Sequence, residues 1–383
     1  MEKIDKFNAN GQVIFVEPKW ITGETCLFTI KDPFEYMHAR SKVTKMRTEF
    51  LARLEREGFV ITTDKENVPE GAIYLIMDDT AICDYSTPHT IGFYKKLFDQ
   101  RIMEAGGEQL NYPYSLSMEE YFQNPFFPAV FKNESTNGGI DKFLIETPEQ
   151  VEIIKRFYRD FSSNKTYKNA FSCSIFQQLI EPPTNGKSYM RVLMSASGDV
   201  MGASLKYSKS GSYRREAEGL FEQHFWNPES PYYLNCSGMF NYYSEGENIS
   251  FSQPRFSTEK AKVLLEHGID PSHPEVPSEV LEVATSIATK CNRELGIMSG
   301  MDFILNKHDG KWYYLEIQAF PAIEEWAVTK GIKKLKKGDI DDYINYLKIS
   351  LEARYAALMM CMEKSYGSAE EAKTHHLTLK SNK

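Results

Sequence analysis

Asp302, Glu316 and Gln318 stand where a single hairpin would gather them. Residues 300–306 read as a strand, His308-Asp309-Gly310 as its turn, and residues 311–321 as the returning strand. Side chains alternate faces along a strand, so Glu316 and Gln318 point the same way. Asp302 is expected opposite them on the neighbouring strand. Two carboxylates and an amide oxygen on one face make a hard-oxygen site suited to Mg²⁺, with Mn²⁺ as a second option. A surface hairpin also carries acids for solubility alone, so the reading depends on what the rest of the chain supplies.

Two further features suit phosphate chemistry. Residues 127–132 read as a strand ending in Lys132, followed by a polar loop with Ser135, Asn137, Gly138 and Gly139. The lysine would neutralise phosphate charge, and successive loop N–H groups would cradle the oxygens. Gln177, Gln178, Leu179 and Ile180 close an apolar strand just before Pro182-Pro183, where exposed backbone groups can read an adenine edge. Arg191 lies on a hairpin whose strands cover 189–196 and 200–207, with Lys206 on the return strand. A planar, permanently charged guanidinium suits a developing oxyanion. An ion pair on a sheet face is the plainer reading of both cations.

The scaffold that must position these groups reads as mixed α and β. Residues 12–16 form a strand candidate. Residues 34–57 form an amphipathic helix with Met46, Phe50, Leu51 and Leu54 on one stripe and Gly58 as its stop. Strands at 59–62 and 72–77 follow, then a helix over 90–105 stopped by Gly106-Gly107. This order predicts an α/β domain over residues 1–110. A second unit, 111–182, contains a helix opened by Thr147-Pro148-Glu149-Gln150, a capping box. Val151, Ile154, Phe157 and Phe161 form its inward face, and a strand at 171–180 follows. A third unit, 183–367, holds the Arg191 hairpin, a helix over 277–295 stopped by Gly296, the acidic hairpin and a last amphipathic helix over 339–362. The polar tail 368–383 is expected to be disordered.

Bulk composition sets the class. The 383 residues are 42% hydrophobic and 26% charged, with net charge −8. That is ordinary globular material, and its acidity argues against nucleic acid as a partner. No apolar run approaches the roughly 20 residues needed to span a bilayer, so no membrane association is expected. Met1 to Asn10 is polar and lacks a signal-peptide core. Cys26, Cys83, Cys173, Cys236, Cys291 and Cys361 are scattered without a C-x-x-C spacing, which suits buried thiols in a reducing compartment. Cytoplasmic localisation is the expectation. The eight histidines are dispersed, none at metal-ligand spacing from another.

The order of the chemical features resembles the ATP-grasp superfamily, of the carboxylate–amine ligase type. The matching stretches are the strand lysine and glycine loop (128–139), Gln-Gln-Leu-Ile (177–180), Arg-Val-Leu with its return strand (191–206), Met-Asp-Phe-Ile (301–304) and Leu-Glu-Ile-Gln-Ala-Phe-Pro (315–321). The resemblance implies an N-terminal α/β domain followed by two α+β subdomains that clamp ATP. It places Lys132 on the phosphates, the loop 135–139 over them as a lid, and Gln178 to Ile180 at the adenine. Lys96 would be a second phosphate lysine, matched only loosely. Arg191, supported by Lys206, would face the reacting phosphate and acyl group. Asp302, Glu316 and Gln318 would hold Mg²⁺.

Two positions depart from the pattern. Gln318 stands where the family has asparagine, and Gln178 where the hinge usually has an acid, leaving Glu181 as the nearest carboxylate for the ribose. The implied reaction joins a small carboxylate, such as an amino acid or short peptide, to an amine by way of an acyl phosphate. Arg214, Arg215 and Arg255 are candidates for the substrate carboxylate, with Trp226, Tyr242 and Tyr243 as walls. A small-molecule kinase on the same fold and a regulatory nucleotide binder with a degenerate site are the alternatives. The apolar helix at 339–362 either closes the core or forms a homodimer face.

Overall fold

The structure, a computed structural model, describes residues 11–16, 21, 27, 30, 32–64, 66–69, 72–75, 90–91, 107, 110–133, 142–161, 174–184, 188–208, 246–292, 298–319, 321 and 323–366. It is a mixed α and β architecture built on three sheets.

The first sheet is parallel, in the order β2-β1-β3-β4. It comprises β1 (Val13–Val16), β2 (Val60–Thr62), β3 (Ile73–Leu75) and β4 (Thr90–Ile91). Between β1 and β2 runs α1 (Pro33–Arg56). Asp32 caps it by accepting from the N–H groups of Phe34 and Glu35, and proline occupies the first turn, where no intrahelical donor is needed. Gly58, at φ 93°, reverses the chain after the helix, a conformation that side chains with a Cβ resist. Thr90 and Ile91 correct the sequence expectation of a helix starting at residue 90. They pair in parallel with Tyr74 and Leu75. Two β-branched residues beside an open sheet edge gain a ladder that local periodicity cannot reveal.

The second sheet takes its strands from the next stretch of chain: β5 (Ser115–Ser117), β6 (Ala129–Asn133), β7 (Lys142–Ile145) and β8 (Ser174–Gln178), ordered β5-β8-β6-β7 and antiparallel throughout. Two helices cover it. α2 (Met118–Gln123) starts at a capping box of Ser117 and Glu120. α3 (Pro148–Phe161) starts at the predicted one: the Gln150 N–H donates to Thr147 Oγ1, while Gln150 Oε1 accepts from the N–H groups of Glu146 and Thr147. Val151 and Ile154 pack inward with Met118, Tyr121, Phe131 and Phe176. The Tyr121 and Phe176 rings stack at 3.8 Å between centroids. The side chains of Phe157 and Phe161 lie outside the described residues, as does the loop 134–141.

The third sheet is antiparallel, in the order β11-β10-β9-β12-β13. Its strands are β9 (Ser188–Met194), β10 (Val200–Ser208), β11 (Gly246–Ser250), β12 (Ser299–Leu305) and β13 (Trp312–Ala319). One face is apolar. Met190, Val192, Met194, Leu205, Met301 and Phe303 meet Val263, Leu264, Val280, Val283 and Ile287 of α4 (Thr258–Glu266) and α5 (Ser278–Ile287). The helix predicted over 277–295 is α helical only to Ile287 and continues as a π-helical turn over Ala288–Asn292. Residues 293–297, with Gly296, lie outside the described residues.

α6 (Ile323–Thr329) packs in one core with Leu193 and Met201 of the third sheet and with α7 (Lys337–Tyr366). Ile340, Tyr343, Ile344, Leu347, Leu351 and Leu358 of α7 are buried in one core with Val43, Phe50 and Leu54 of α1 and with Ile14 of β1. The last helix therefore completes the core of the first unit, one of the two roles its sequence left open. No helix among the described residues is long and apolar enough to cross a membrane. The tail from residue 367 lies outside the described residues.

His267, just past α4, is buried with its Nδ1 2.8 Å from the Val263 carbonyl and its Nε2 2.8 Å from Ser188 Oγ. Nδ1–H donates to the carbonyl, so Nε2 accepts from the serine, and the ring is neutral. Burial pushes its pKa down to about 4, against the opposing pull of the Val263 carbonyl. A folded pKa below the unfolded one means that the unfolded chain binds the proton more readily. The contribution is therefore complete above about pH 6.5 and is lost as pH falls through 4. We expect urea unfolding between pH 7 and 4 to show a loss of roughly 3 kcal/mol that His267→Gln largely removes. Parallel curves for the two proteins would contradict the assignment.

Candidate functional site

The hydrophilic face of the third sheet is written by strand register. Asp302 of β12 stands opposite Arg191 of β9 on one side and Glu316 of β13 on the other. Arg191 in turn faces Ser204 of β10. Directly opposed residues share a face, so Glu316, Asp302 and Arg191 form a row across the sheet. Tyr189, Lys206 and Gln318, each two residues along its strand from that row, share the face. The sequence expectation that Asp302 opposes Glu316 thus holds, with a bulge directly after Asp302.

Arg191 organises the row. Its Nε donates to Asp302 Oδ1 at 2.6 Å and its Nη2 to Asp302 Oδ2 at 2.7 Å, a two-pronged pair. Its Nη1 donates to Gln318 Oε1 at 2.9 Å and lies 3.0 Å from Glu325 Oε2. The stem of Arg191 passes over Gly300. A Cβ on that glycine would come within 3.4 Å of Arg191 Cδ and 3.2 Å of Leu193 Cδ2, so the missing side chain leaves the lane the arginine uses. Lys206 Nζ donates to both oxygens of Glu325, at 2.9 and 2.7 Å. Tyr189 lies beneath both cations, its ring centroid 5.7 Å from Arg191 Cζ and 5.9 Å from Lys206 Nζ.

Burial gives these contacts their strength. The Arg191 and Asp302 side chains are 3% and 4% exposed. Burial disfavours the guanidinium, but Asp302 and Glu325 overcome it and hold Arg191 firmly charged. For Glu325, burial favours the neutral acid, and Arg191 and Lys206 reverse this, bringing its pKa down to about 2. Burial and the neighbouring Arg191 both push the Lys206 ammonium down, with Glu325 opposing them. Burial pushes the Asp302 carboxyl up, while Arg191 pulls it the other way.

The second sheet meets the edge of the third through Lys132, buried in β6, whose Nζ donates to the Leu315 carbonyl of β13 at 3.3 Å. The crossover after β8 is tied to the same hairpin. The Lys307 N–H donates to the Glu181 carbonyl at 2.8 Å, and Glu181 Oε2 pairs with Lys307 Nζ and, at 3.2 Å, with His308 Nε2. Glu181, the candidate ribose carboxylate, is thus held by the hairpin turn. Gln178 is exposed at the end of β8, and Leu179 and Ile180 are buried. The Leu179 N–H, a candidate adenine reader, lies 3.5 Å from the Pro128 carbonyl to which it donates.

The donor types around Asp302, Glu316 and Gln318 suit a hard cation, since each carboxylate offers several lone pairs. In this arrangement Arg191 takes both Asp302 oxygens and the Gln318 amide oxygen. Among the described residues, no group of three or more His, Cys, Asp or Glu is gathered to hold a metal. Arg255 is exposed in the turn between β11 and α4. Lys96, Ser135, Asn137, Gly138, Gly139, Arg214, Arg215, Trp226, Tyr242 and Tyr243 lie outside the described residues.

Sequence reasoning missed Glu325 and Gly300. Glu325 sits on a helix of seven residues, too short for its periodicity to show which face is inward. Gly300 read as an ordinary strand glycine, although a glycine inside a strand is itself a signal of close approach.

No protein-family model matches the chain, and no curated protein matches it. Solved structures do. The ATP-grasp ligase PsnB, complexed with a minimal precursor, is 12% identical over 87% of this chain and 79% of its own, with a TM-score of 0.34. D-alanine–D-alanine ligase from Bacillus anthracis, complexed with ATP, is 12% identical over 92% of this chain and 98% of its own, with a TM-score of 0.35. A RimK domain ATP-grasp protein from Sphaerobacter thermophilus is 11% identical over 88% of this chain and 100% of its own, with a TM-score of 0.36.

Removing Asp302 would leave Arg191 buried without its two-pronged partner. We expect Asp302→Ala to lower stability by about 3–5 kcal/mol, the usual result of breaking one side of a buried ion pair. Chemical denaturation measures this, and a loss below 1 kcal/mol would show that the pair is solvated.

Proposed function

We propose that the chain is an ATP-dependent ligase that activates a small carboxylate and joins it to an amine. One observation carries the reading. Buried cations (Arg191 and Lys206) and hard-oxygen donors (Asp302, Glu316 and Gln318) share one sheet face, and Lys132 of a second sheet meets the main chain of β13, the edge strand that carries Glu316 and Gln318. A charged sheet face of this kind suits a polyanion whose transfer needs charge stabilisation more than a nucleophile. The ordered motif resemblance supports the same reading.

In the proposed reaction a substrate carboxylate oxygen attacks the γ-phosphorus of ATP, and ADP leaves with the electron pair of the broken P–O bond. An amine nitrogen then attacks the acyl carbon, phosphate departs, and the nitrogen gives up a proton. Lys132 would hold the phosphates, and Arg191 with Lys206 would stabilise the oxyanions. Asp302, Glu316 and Gln318 would hold Mg²⁺, which when bound neutralises phosphate charge. For these oxygens to serve it, Arg191 must share them or turn toward the substrate. Tyr189 walls off the floor beneath both cations. An amino acid or short peptide is the substrate class we favour.

Thermal stabilisation by Mg²⁺ with ADP tests the nucleotide seat. At about 100 times the dissociation constant the ligand adds roughly 2.7 kcal/mol, and Lys132→Ala should lose most of that shift. No shift in the parent chain would remove the ligase reading. Glu316→Ala should nearly abolish ADP release while keeping the folded circular dichroism spectrum, and unchanged turnover would remove the metal role. ADP release that needs no amine would instead indicate a kinase.

A further inference from the structure

Asp302 and Glu325 both pair with Arg191, but they do different things. Asp302 takes Nε and Nη2, the edge that fixes the plane of the guanidinium, and Gln318 adds a contact to Nη1. Those three hydrogen bonds already define where Arg191 points. Glu325 is supplementary to that geometry. Its carboxylate lies between Arg191 Nη1 and Lys206 Nζ, with contacts of 3.0, 2.9 and 2.7 Å. It is also the more exposed of the two acids, its side chain 15% exposed against 4% for Asp302.

The helix beneath it is fixed. Ile323, Trp326 and Ala327 of α6 are buried in the core shared by α1 and α7. Thr329 at the end of α6 packs against β10 so closely that a Cβ on Gly202 would come within 3.2 Å of its Oγ1. Ser250 Oγ donates to the Thr329 carbonyl at 2.5 Å. The backbone therefore stays in place, while the glutamate side chain can leave its seat by rotating about its own bonds.

We propose that Arg191 Nη1 and Lys206 Nζ form a carboxylate seat, and that Glu325 fills it as an internal stand-in which a free carboxylate ligand displaces. The proposal rests on the ligase reading only in identifying the displacing ligand with the substrate acid. The exchange is balanced in charge, since one carboxylate leaves the cation pair as another arrives. It also explains how two cations rest side by side in a buried sheet face: the tethered acid offsets their mutual repulsion. The seat takes a planar carboxylate. Inorganic phosphate, with its tetrahedral oxygens, serves as the comparison.

Glu325→Gln keeps the shape and removes the internal competitor. A tethered group competes at an effective concentration in the millimolar range or above, so its removal should lower the acetate concentration giving half-maximal thermal stabilisation by about tenfold or more. Acetate, phosphate and chloride are compared at matched ionic strength on the full chain. Acetate stabilising E325Q at lower concentration than the parent, with chloride acting alike on both, is the expected result. Equal acetate responses in the two proteins would overturn the seat, and a response to phosphate alone would overturn its preference for carboxylates. If E325Q does not fold in plain buffer, refolding in acetate must restore it, and failure to do so would likewise overturn the proposal. The Mg²⁺ and ADP shift is measured on the same samples. Its absence would remove the nucleotide reading and leave the carboxylate result standing.

Discussion

A guanidinium cannot be neutralised in a protein, so a fold that takes one out of water must surround it with acceptors. Arg191 imposes that requirement on the third sheet. Asp302 meets it across the β9–β12 ladder, Gln318 across the hairpin, and Glu325 from a helix over a hundred residues away in the chain. Each acceptor needs its own support. Gly300 has to be small so that the arginine stem can cross it. α6 has to dock firmly so that Glu325 reaches Arg191 and Lys206 together. The site is therefore less a set of residues attached to a sheet than a charge that dictates its neighbours.

The sheet serves two solvents at once. Met190, Val192, Met301 and Phe303 face the helices α4 and α5, while Arg191 and Asp302, alternating with them, face the charged cluster. Period-two alternation makes this possible, and the apolar face keeps the other rigid enough to hold ionic geometry. The second sheet adds its lysine from outside. Lys132 on the Leu315 carbonyl and Glu181 on Lys307 and His308 both meet the β12–β13 hairpin. Among the described residues, that hairpin carries contacts between the two units. A ligand between them would have to compete with, or make use of, these contacts.

Much of the local structure was legible. The capping box at Thr147, the stop at Gly58, the Arg191 hairpin and the pairing of Asp302 with Glu316 all follow from spacing and residue type. Thr90 and Ile91 were misread because a parallel edge partner sixteen residues away decides their conformation. The π-helical turn after Ile287 was also missed, since a single underwound turn barely alters the apolar spacing of an α pattern.

The sequence by itself determined which chemistry the chain can carry. Arginine, lysine, two carboxylates and a glutamine alternate onto one face because side-chain direction along a strand is a local property. Tertiary structure alone decided who holds whom. Asp302 read as a metal ligand, yet in the folded chain both its oxygens belong to Arg191. Glu325 carried no signal at all, yet it joins the two buried cations. Ion pairing depends on distances between residues far apart in sequence and on how deeply burial removes water from between them. Neither quantity exists until the sheets and helices have packed.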